Sequence, residues 1–520
     1  MRYRHGGNRT PAAFASISHV GGETLFNVDQ RDMGEHWIPL GAYVLDDESV
    51  FEWLHGPADG YLISDAVKVR GGWHDAANKA WWQMSAKEYV AYAAAPTSVT
   101  DYGDVSIRPA YAEYVGADAY ISLHANAIGN TTSNGISTYR YSCQLYSDFS
   151  SSTGATNCDD PPGSTALLDE VQAAMIGSIH SDFDANFGNR NGRVANFGEL
   201  RILDDTPGIL IESGFFTNTD PAADGRRMSD NQALHDPRWR EALVRGIAEG
   251  VARFLAPGSG LPPHRVDGLF AKNDGNNGLS LSWNAVDDAM GYHVFVSEHE
   301  HAFSDPVLVE SGISLTVSDL PAGSLRFFKV AALNDNGEGW DSGVVTARTP
   351  PNAASHRLLV VDAYDRRDAW EQQVDNTFSI SIEHGTALAG ATDDVYFDGC
   401  LDEVLDDRAS RGLSVDDYAL IDFAAGKDST EHQPISKTQQ GILRAFVDGD
   451  GKLILSGEEV AFALMQSNDA DDEAFLHEIL HAEYIADDSN TSTFSGTNYV
   501  AFASLGDFQL SNGGDEGAYE

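Results

Sequence analysis

The chain is short of cysteine, short of lysine and without any long apolar run, and each shortage excludes something. Three cysteines stand in 520 residues, Cys143, Cys158 and Cys400, and none forms a metal-type Cys pair. No segment reaches the ~20 consecutive apolar residues of a membrane-spanning helix. Residues 1–20 carry Arg2, Arg4 and Arg9 around no apolar centre, so no signal peptide is read there. Positive charge is scarce: 33 Lys and Arg stand against 79 Asp and Glu, a net charge of −46 at pH 7. That balance argues against nucleic acid and anionic membrane surfaces as partners. The lysines are confined to Lys68, Lys79, Lys87, Lys272, Lys329, Lys427, Lys437 and Lys452. An acidic, Lys-poor surface suits a salty medium, where screening weakens self-repulsion. It equally suits the solubility of an exported protein.

A hydrophobic fraction of 42% supports real cores rather than disorder. The length allows three to four domains. Cys143 and Cys158 flank a polar Ser/Thr/Gly/Asp loop and can pair, although free thiols are the alternative. Closing a loop of about 15 residues contributes roughly 3 kcal/mol and fits an oxidising, exported setting.

Two strings carry chemistry. Ser122-Leu123-His124-Ala125-Asn126-Ala127 follows the apolar run 119–123, and Ile211-Glu212-Ser213-Gly214-Phe215-Phe216-Thr217-Asn218 follows the run 209–211. Such runs read as buried strands of a mostly parallel sheet. Each then delivers a polar side chain at a strand's C-terminal end, where open α/β sheets build their sites. An imidazole and a carboxylate placed this way suit metal-assisted hydrolysis, His124 binding Zn²⁺ and Glu212 moving the proton.

Together the strings resemble the zinc-dependent N-acetylmuramoyl-L-alanine amidases of the type 3 family. The resemblance covers roughly residues 73–256 and implies His124 as a zinc ligand and Glu212 as the general base. It also implies peptidoglycan as the substrate. The family's first zinc His, in a D-P-G-H-G turn, and the Glu that follows it are not found. His5 in Arg4-His5-Gly6-Gly7, with Glu23 downstream, and His74 in Gly71-Gly72-Trp73-His74 are loose candidates only. Catalytic zinc normally takes three protein ligands.

Residues 1–72 read as a β-rich module, with strand-like runs at 25–30, 37–41 and 61–67. Asn8-Arg9-Thr10, Asn27-Val28-Asp29-Gln30 and Trp37-Ile38-Pro39-Leu40-Gly41 resemble the golvesin or xanthan lyase-type carbohydrate-binding domain. That domain is found inserted in such amidases, which implies that the first His and Glu lie upstream of a truncated start. A natural, zinc-poor remnant is the alternative.

Pro161-Pro162-Gly163-Ser164 opens a helix with Ser164 as its cap, and Asp236-Pro237 opens a second with Trp239, Leu243 and Ile247 on its buried face. Pro257-Gly258-Ser259-Gly260 begins a linker. Residues 257–350 comprise that linker and an all-β module whose Trp283 and 328–334 string resemble a fibronectin type III sandwich, with Arg326 where a corner Tyr often stands. Residues 351–520 return to α/β character, with parallel strands expected at 358–362, 418–423 and 452–457. The string 451–459 resembles the class I glutamine amidotransferase-like, flavodoxin-like domain. Cys400 sits at no nucleophile turn, so a catalytic triad is not supported. His477-Glu478-Ile479-Leu480-His481 is a literal H-E-x-x-H, read as a chance match on a docking helix spanning about 474–484. Asp448-Gly449-Asp450-Gly451 reads as a turn rather than a calcium loop.

The expected order is therefore carbohydrate-binding β-module, amidase α/β part, fibronectin-like sandwich and flavodoxin-like domain. The expected setting is the secreted space or cell envelope, with oligomeric state unknown. The rival is a non-catalytic wall- or glycan-binding surface protein in which the amidase part is a scaffold.

Overall fold

In the computed structural model, residues 1–69 build a small antiparallel sheet from β1 (Ala13–His19), β2 (Gly22–Val28) and β3 (Phe51–His55), in the order β2-β1-β3. The structure describes the chain except for residues 33, 42, 56–59, 70–83, 143–145, 149–160, 220–227, 276, 353–355, 366–379, 431–432, 486–492, 495–507 and 510–520. Alternation puts Ala13 and Ala15 inside, against Tyr3, Val28 and Trp53. Among the described residues this module has one sheet rather than two facing sheets. The expected strand at 37–41 is irregular. Pro39 has no N–H to give a ladder, and Trp37 and Ile38 instead donate singly to Ala93 O and Met1 O. The run 61–67 pairs only through isolated bridges, Tyr61 with Arg9 and Ala66 with Arg2.

The second unit opens with α1 (Ala86–Tyr92), α2 (Thr97–Thr100) and α3 (Asp104–Val115). A Ser85–Glu88 capping box starts α1, and Gly116, at φ 65°, ends α3 in the left-handed region that glycine adopts freely. The sheet follows: β4 (Tyr120–Asn126), β5 (Ile136–Tyr141), β6 (Tyr146–Asp148), β7 (Asn189–Ala195) and β8 (Gly208–Phe215), ordered β4-β8-β5-β7-β6. It is mixed rather than mostly parallel. β4–β8 and β5–β7 are parallel, whereas β5–β8 and β6–β7 are antiparallel. β4 is the outer strand of the described sheet, so Leu123 is 53% exposed instead of buried.

One face of this sheet packs on α4 (Ser164–Asp182) and, after α5 (Asp230–His235), on α6 (Pro237–Leu255). Ser164 is the first helical residue and not the cap. Gly163, at φ 96°, takes that place, which frees Ser164 Oγ to accept from Gly208 N at 3.0 Å. Asp236 caps α6 as expected, accepting from Arg238 N at 2.9 Å. α4 and α6 touch backbone to backbone. A Cβ on Gly246 would lie 2.4 Å from Met175 Cα, and one on Gly250 2.3 Å from Val171 Cα. Gly246→Ala therefore has to push the helices apart, a cost of roughly 1–3 kcal/mol. A melting curve should show this unit losing about 2–4 °C per kcal/mol. An unchanged curve would mean that the helices are not this close.

The linker after α6 is pinned. Gly260 N donates to Asn336 Oδ1 at 3.2 Å, Asn334 Nδ2 to Leu261 O at 3.0 Å and Arg245 Nη2 to Pro262 O at 3.0 Å.

A β-sandwich follows. β9 (Phe270–Asn273), β10 (Leu279–Ser282) and β13 (Ser314–Val317) form one sheet. β11 (Gly291–Ser297), β12 (Val307–Val309), β14 (Leu325–Asn334), β15 (Gly337–Glu338) and β16 (Val345–Arg348) form the other. Trp283 is fully buried between them and packs edge-on to Tyr292.

The last unit has β17 (His356–Asp362), α7 (Ser381–Ala391), β18 (Val395–Leu401), α8 (Glu403–Asp406), β19 (Leu420–Ala424), α9 (Lys437–Asp448), β20 (Lys452–Ser456), α10 (Val460–Gln466) and α11 (Ala470–Ala474). Its four strands are all parallel, in the order β18-β17-β19-β20. The expected strands are present, and β18 is an addition to them. β21 (Thr493–Phe494) and β22 (Phe508–Gln509) pair near the C-terminus.

β18 also pairs with the sandwich. Gly399 and Cys400 oppose Ala271 and Phe270 of β9, and Phe397 opposes Arg348 of β16. Buried Asp398 accepts from Asn273 N (2.9 Å), Arg357 Nη2 (2.6 Å) and Tyr418 Oη (2.7 Å) across this seam. Among the described residues no helix is long and apolar enough to cross a membrane.

Candidate active site

β4 and β8 lie side by side in parallel register, with His124 directly opposite Glu212. Neighbouring strands are ~4.8 Å apart and in-register side chains leave on the same face. The two strings also bind each other. Ser213 Oγ donates to His124 O at 2.7 Å and Phe216 N to Asn126 O at 3.0 Å. Ile128 N donates to Thr217 Oγ1 at 3.2 Å. Asn218 Nδ2 donates to Thr131 O at 2.6 Å, and Asn218 Oδ1 accepts from Asp230 N at 2.8 Å. The Thr-Asn ending of the second string thus holds the loops beyond β4 and β8 together.

Asp230, fully buried at the start of α5, completes this lock. One of its oxygens accepts from Gly135 N at 2.7 Å and from Phe215 N at 2.9 Å. Asp230→Ala leaves both N–H groups buried without that acceptor, at about 1–3 kcal/mol each. The expected outcome is a lower melting temperature than for Asp230→Asn, which keeps an acceptor oxygen. Equal melting of the two variants would show that the carboxylate is not the lock.

His124 Nε2 meets Ser122 Oγ at 2.9 Å, two residues away on the same strand face. The same nitrogen lies 3.9 Å from Glu199 Oε1, with side chains 30% exposed for His124 and 14% for Glu199. Glu199 sits in the turn after β7, where fully buried Leu200 packs on Tyr139 and Leu210 and so aims its neighbour at β4. Burial, and then the charge of Glu199, push the Glu212 carboxyl up to about 7. Glu212 Oε2 is buried and has no hydrogen-bond partner among the described residues. A carboxyl poised near neutrality is what general base catalysis asks for.

Zinc takes His nitrogen and carboxylate oxygen at about 2.0–2.2 Å, so two donors of one tetrahedral ion lie about 3.3–3.5 Å apart. His124 and Glu199, at 3.9 Å, come to that span by a small side-chain movement. Among the described residues the group of three or more potential ligands within 4.8 Å of one another is Asp365, Asp402 and Glu403, and it lies in the last unit. Those carboxylates border a cavity of about 1310 Å³ that Arg238 of α6 and Lys437 also line. The cleft at His124 therefore offers a two-donor site rather than a closed one.

The remaining sequence candidates fall elsewhere. His5 is exposed in the loop before β1, and Glu23 lies on β2, where it accepts from Ser16 Oγ. His74, Cys143 and Cys158 lie outside the described residues. Cys400 is buried in β18, its thiol pushed up by burial, and is no nucleophile. The helix carrying His477 ends earlier than expected. Its last turn widens at Phe475–Ile479, and His481, at φ 52°, is already beyond it. The two imidazoles therefore lack the i, i+4 relation of one α-helical face. Asp450, at φ 70°, turns the chain between α9 and β20.

Sequence reasoning passed over Glu199 and Asp230. Glu199 carried no signal of its own, because it follows a strand that runs against β4 and β8; for Asp230 the signal was the Ser229–Gln232 capping box around it.

Residues 84–253 match the family model of N-acetylmuramoyl-L-alanine amidase. Among solved structures the chain is similar to the catalytic domain of CwlV, N-acetylmuramoyl-L-alanine amidase from Bacillus (Paenibacillus) polymyxa var. colistinus. The identity is 22%, with 30% of this chain and 66% of that chain covered and a TM-score of 0.22. It is also similar to the sixth fibronectin type III domain from human fibronectin type III domain containing protein 3, at 20% identity over 19% of this chain and 96% of that chain, TM-score 0.17. The FN5 domain of Drosophila Lar is similar at 22% identity over 17% of this chain and 99% of that chain, TM-score 0.16. No curated protein matches.

Proposed function

We propose that this chain is a zinc-dependent peptidoglycan amidase of the cell envelope or secreted space. It hydrolyses the amide between the lactyl group of N-acetylmuramic acid and L-alanine. The observation that carries this reading is the in-register pairing of His124 with Glu212 inside the segment matched by the amidase family.

His124 holds the metal. When bound, zinc supplies Lewis-acid polarisation of the amide carbonyl and acidifies water. Glu212 takes the proton of the attacking water and passes it to the leaving amine. Its raised proton affinity serves both halves, because a carboxylate of ordinary acidity returns a proton poorly. Ser213 and Asn218 fix the strand ends so that the imidazole and carboxylate keep their spacing. In this reading the first module binds glycan, the sandwich is a fibronectin type III spacer and the last unit is a flavodoxin-like domain without a catalytic triad.

The test is release of new amino groups from purified peptidoglycan, with reducing sugar ends followed in parallel. Amines without reducing ends, lost in His124→Ala, are expected. Reducing ends, or amines that survive His124→Ala, would reject the reading. The non-catalytic alternative rests on the two-donor metal site, and it predicts sedimentation with peptidoglycan and no amine release.

A further inference from the structure

We propose that Glu199 is a protein ligand of the cation held by His124, a carboxylate delivered from the turn after β7 to the ion's other side. This rests on the amidase reading of the same cleft. The direction is given by the 3.9 Å approach of Glu199 Oε1 to His124 Nε2, a few tenths of an ångström beyond the roughly 3.3–3.5 Å between two donors of one tetrahedral zinc ion.

The need for a cation is given by charge. The Glu199 side chain is 14% exposed, and among the described residues His124 is its one ion-pair partner and no hydrogen bond to it is made. A carboxylate largely withdrawn from water is favoured by a cation beside it. Glu212 stands close enough to Glu199 for their charges to repel. A divalent ion bonds the Glu199 carboxylate directly and takes the imidazole as a neutral donor.

Placement supports the role. Leu200 is fully buried next to Glu199, so the carboxylate sits on a support fixed by packing, while His124 Nε2 exchanges its contact with Ser122 Oγ for the ion. Glu199 and Glu212 then divide the labour: one carboxylate bonds the ion, and the other stays free to carry a proton.

The experiment is titration of the metal-stripped full chain with Zn²⁺ against a chromophoric competitor, together with the visible spectrum of its Co²⁺ form. The variants are Glu199→Gln, Glu199→His, His124→Ala and Glu212→Gln. Expected are a loss of affinity of at least about tenfold in Glu199→Gln with a changed Co²⁺ spectrum, recovery in Glu199→His, and little change in Glu212→Gln. If Glu199→Gln fails to fold, the affinity and spectrum of Glu199→His decide, since only a ligand position converts oxygen to nitrogen donation. If His124→Ala weakens binding while both Glu199 variants bind and absorb like the parent, the amidase reading stands and Glu199 is no ligand. If His124→Ala changes nothing, or the parent binds no zinc, the metal assignment of the cleft falls and this proposal with it.

Discussion

Glu212→Gln is expected to cut amine release by roughly 10²–10⁴-fold, the range that a positioned proton carrier contributes, while leaving zinc affinity unchanged. The same variant has a signature in stability. In the folded chain the Glu212 carboxyl holds its proton up to about 7, against an ordinary 4.5. The folded state therefore binds more protons than the unfolded one between those values. The contribution favours folding in full below 4.5 and is lost as pH rises through about 7. In the presence of a chelator, parent and Glu212→Gln should melt together at about pH 5, and the variant should melt higher at about pH 8. A melting difference equal at both pH values would remove burial of the charge as its cause.

Asp398→Ala is expected to be the most damaging single change outside the cleft. Asp398 is fully buried and is the acceptor shared by Asn273 of the sandwich and by Arg357 and Tyr418 of the last unit. Removing it leaves a half-buried guanidinium without its carboxylate and the buried Tyr418 hydroxyl without its acceptor, together roughly 3–5 kcal/mol. For a unit of this size that is a fall of about 6–20 °C in melting temperature. Calorimetry of Asp398→Ala against Asp398→Asn measures it. A loss of under 1 °C in both would mean that the seam is held by the sheet alone.

The cleft was partly legible because each string interrupts an apolar run with one polar group. His124 and Glu212 could be picked out that way, although both lie inside β4 and β8 rather than at the strand ends that were expected. Glu199 could not, since its aim depends on Leu200 finding a pocket made by Tyr139 and Leu210, far away in sequence. The same limit hid β18. Asp398-Gly399 interrupts its apolar run, and only the fold reveals that this Asp is satisfied from three directions and that a Cβ on Gly399 would meet Thr346 O at 2.0 Å. Helix ends were legible where a side chain does the capping, as at Asp236. They failed at Ser164, where a left-handed glycine outcompetes the hydroxyl. The sheet order of the second unit was beyond periodicity altogether. An apolar run marks a strand but not its direction, so the antiparallel β5 and β6 went unseen.

The pinned linker bears on how a wall-bound enzyme would search its substrate. A free Gly-Ser tether spreads its ends over a range that grows with the square root of its length. The local concentration of the tethered partner is diluted accordingly. Here Gly260, Leu261 and Pro262 are each held by a side-chain hydrogen bond, and the sandwich shares a sheet with the last unit. The described residues after 257 thus hold to α6 as a bracket rather than a leash. Under the proposed function, a polymer gripped along that bracket would be presented at one distance and one angle, which favours repeated cuts on an ordered strand over foraging among scattered ones.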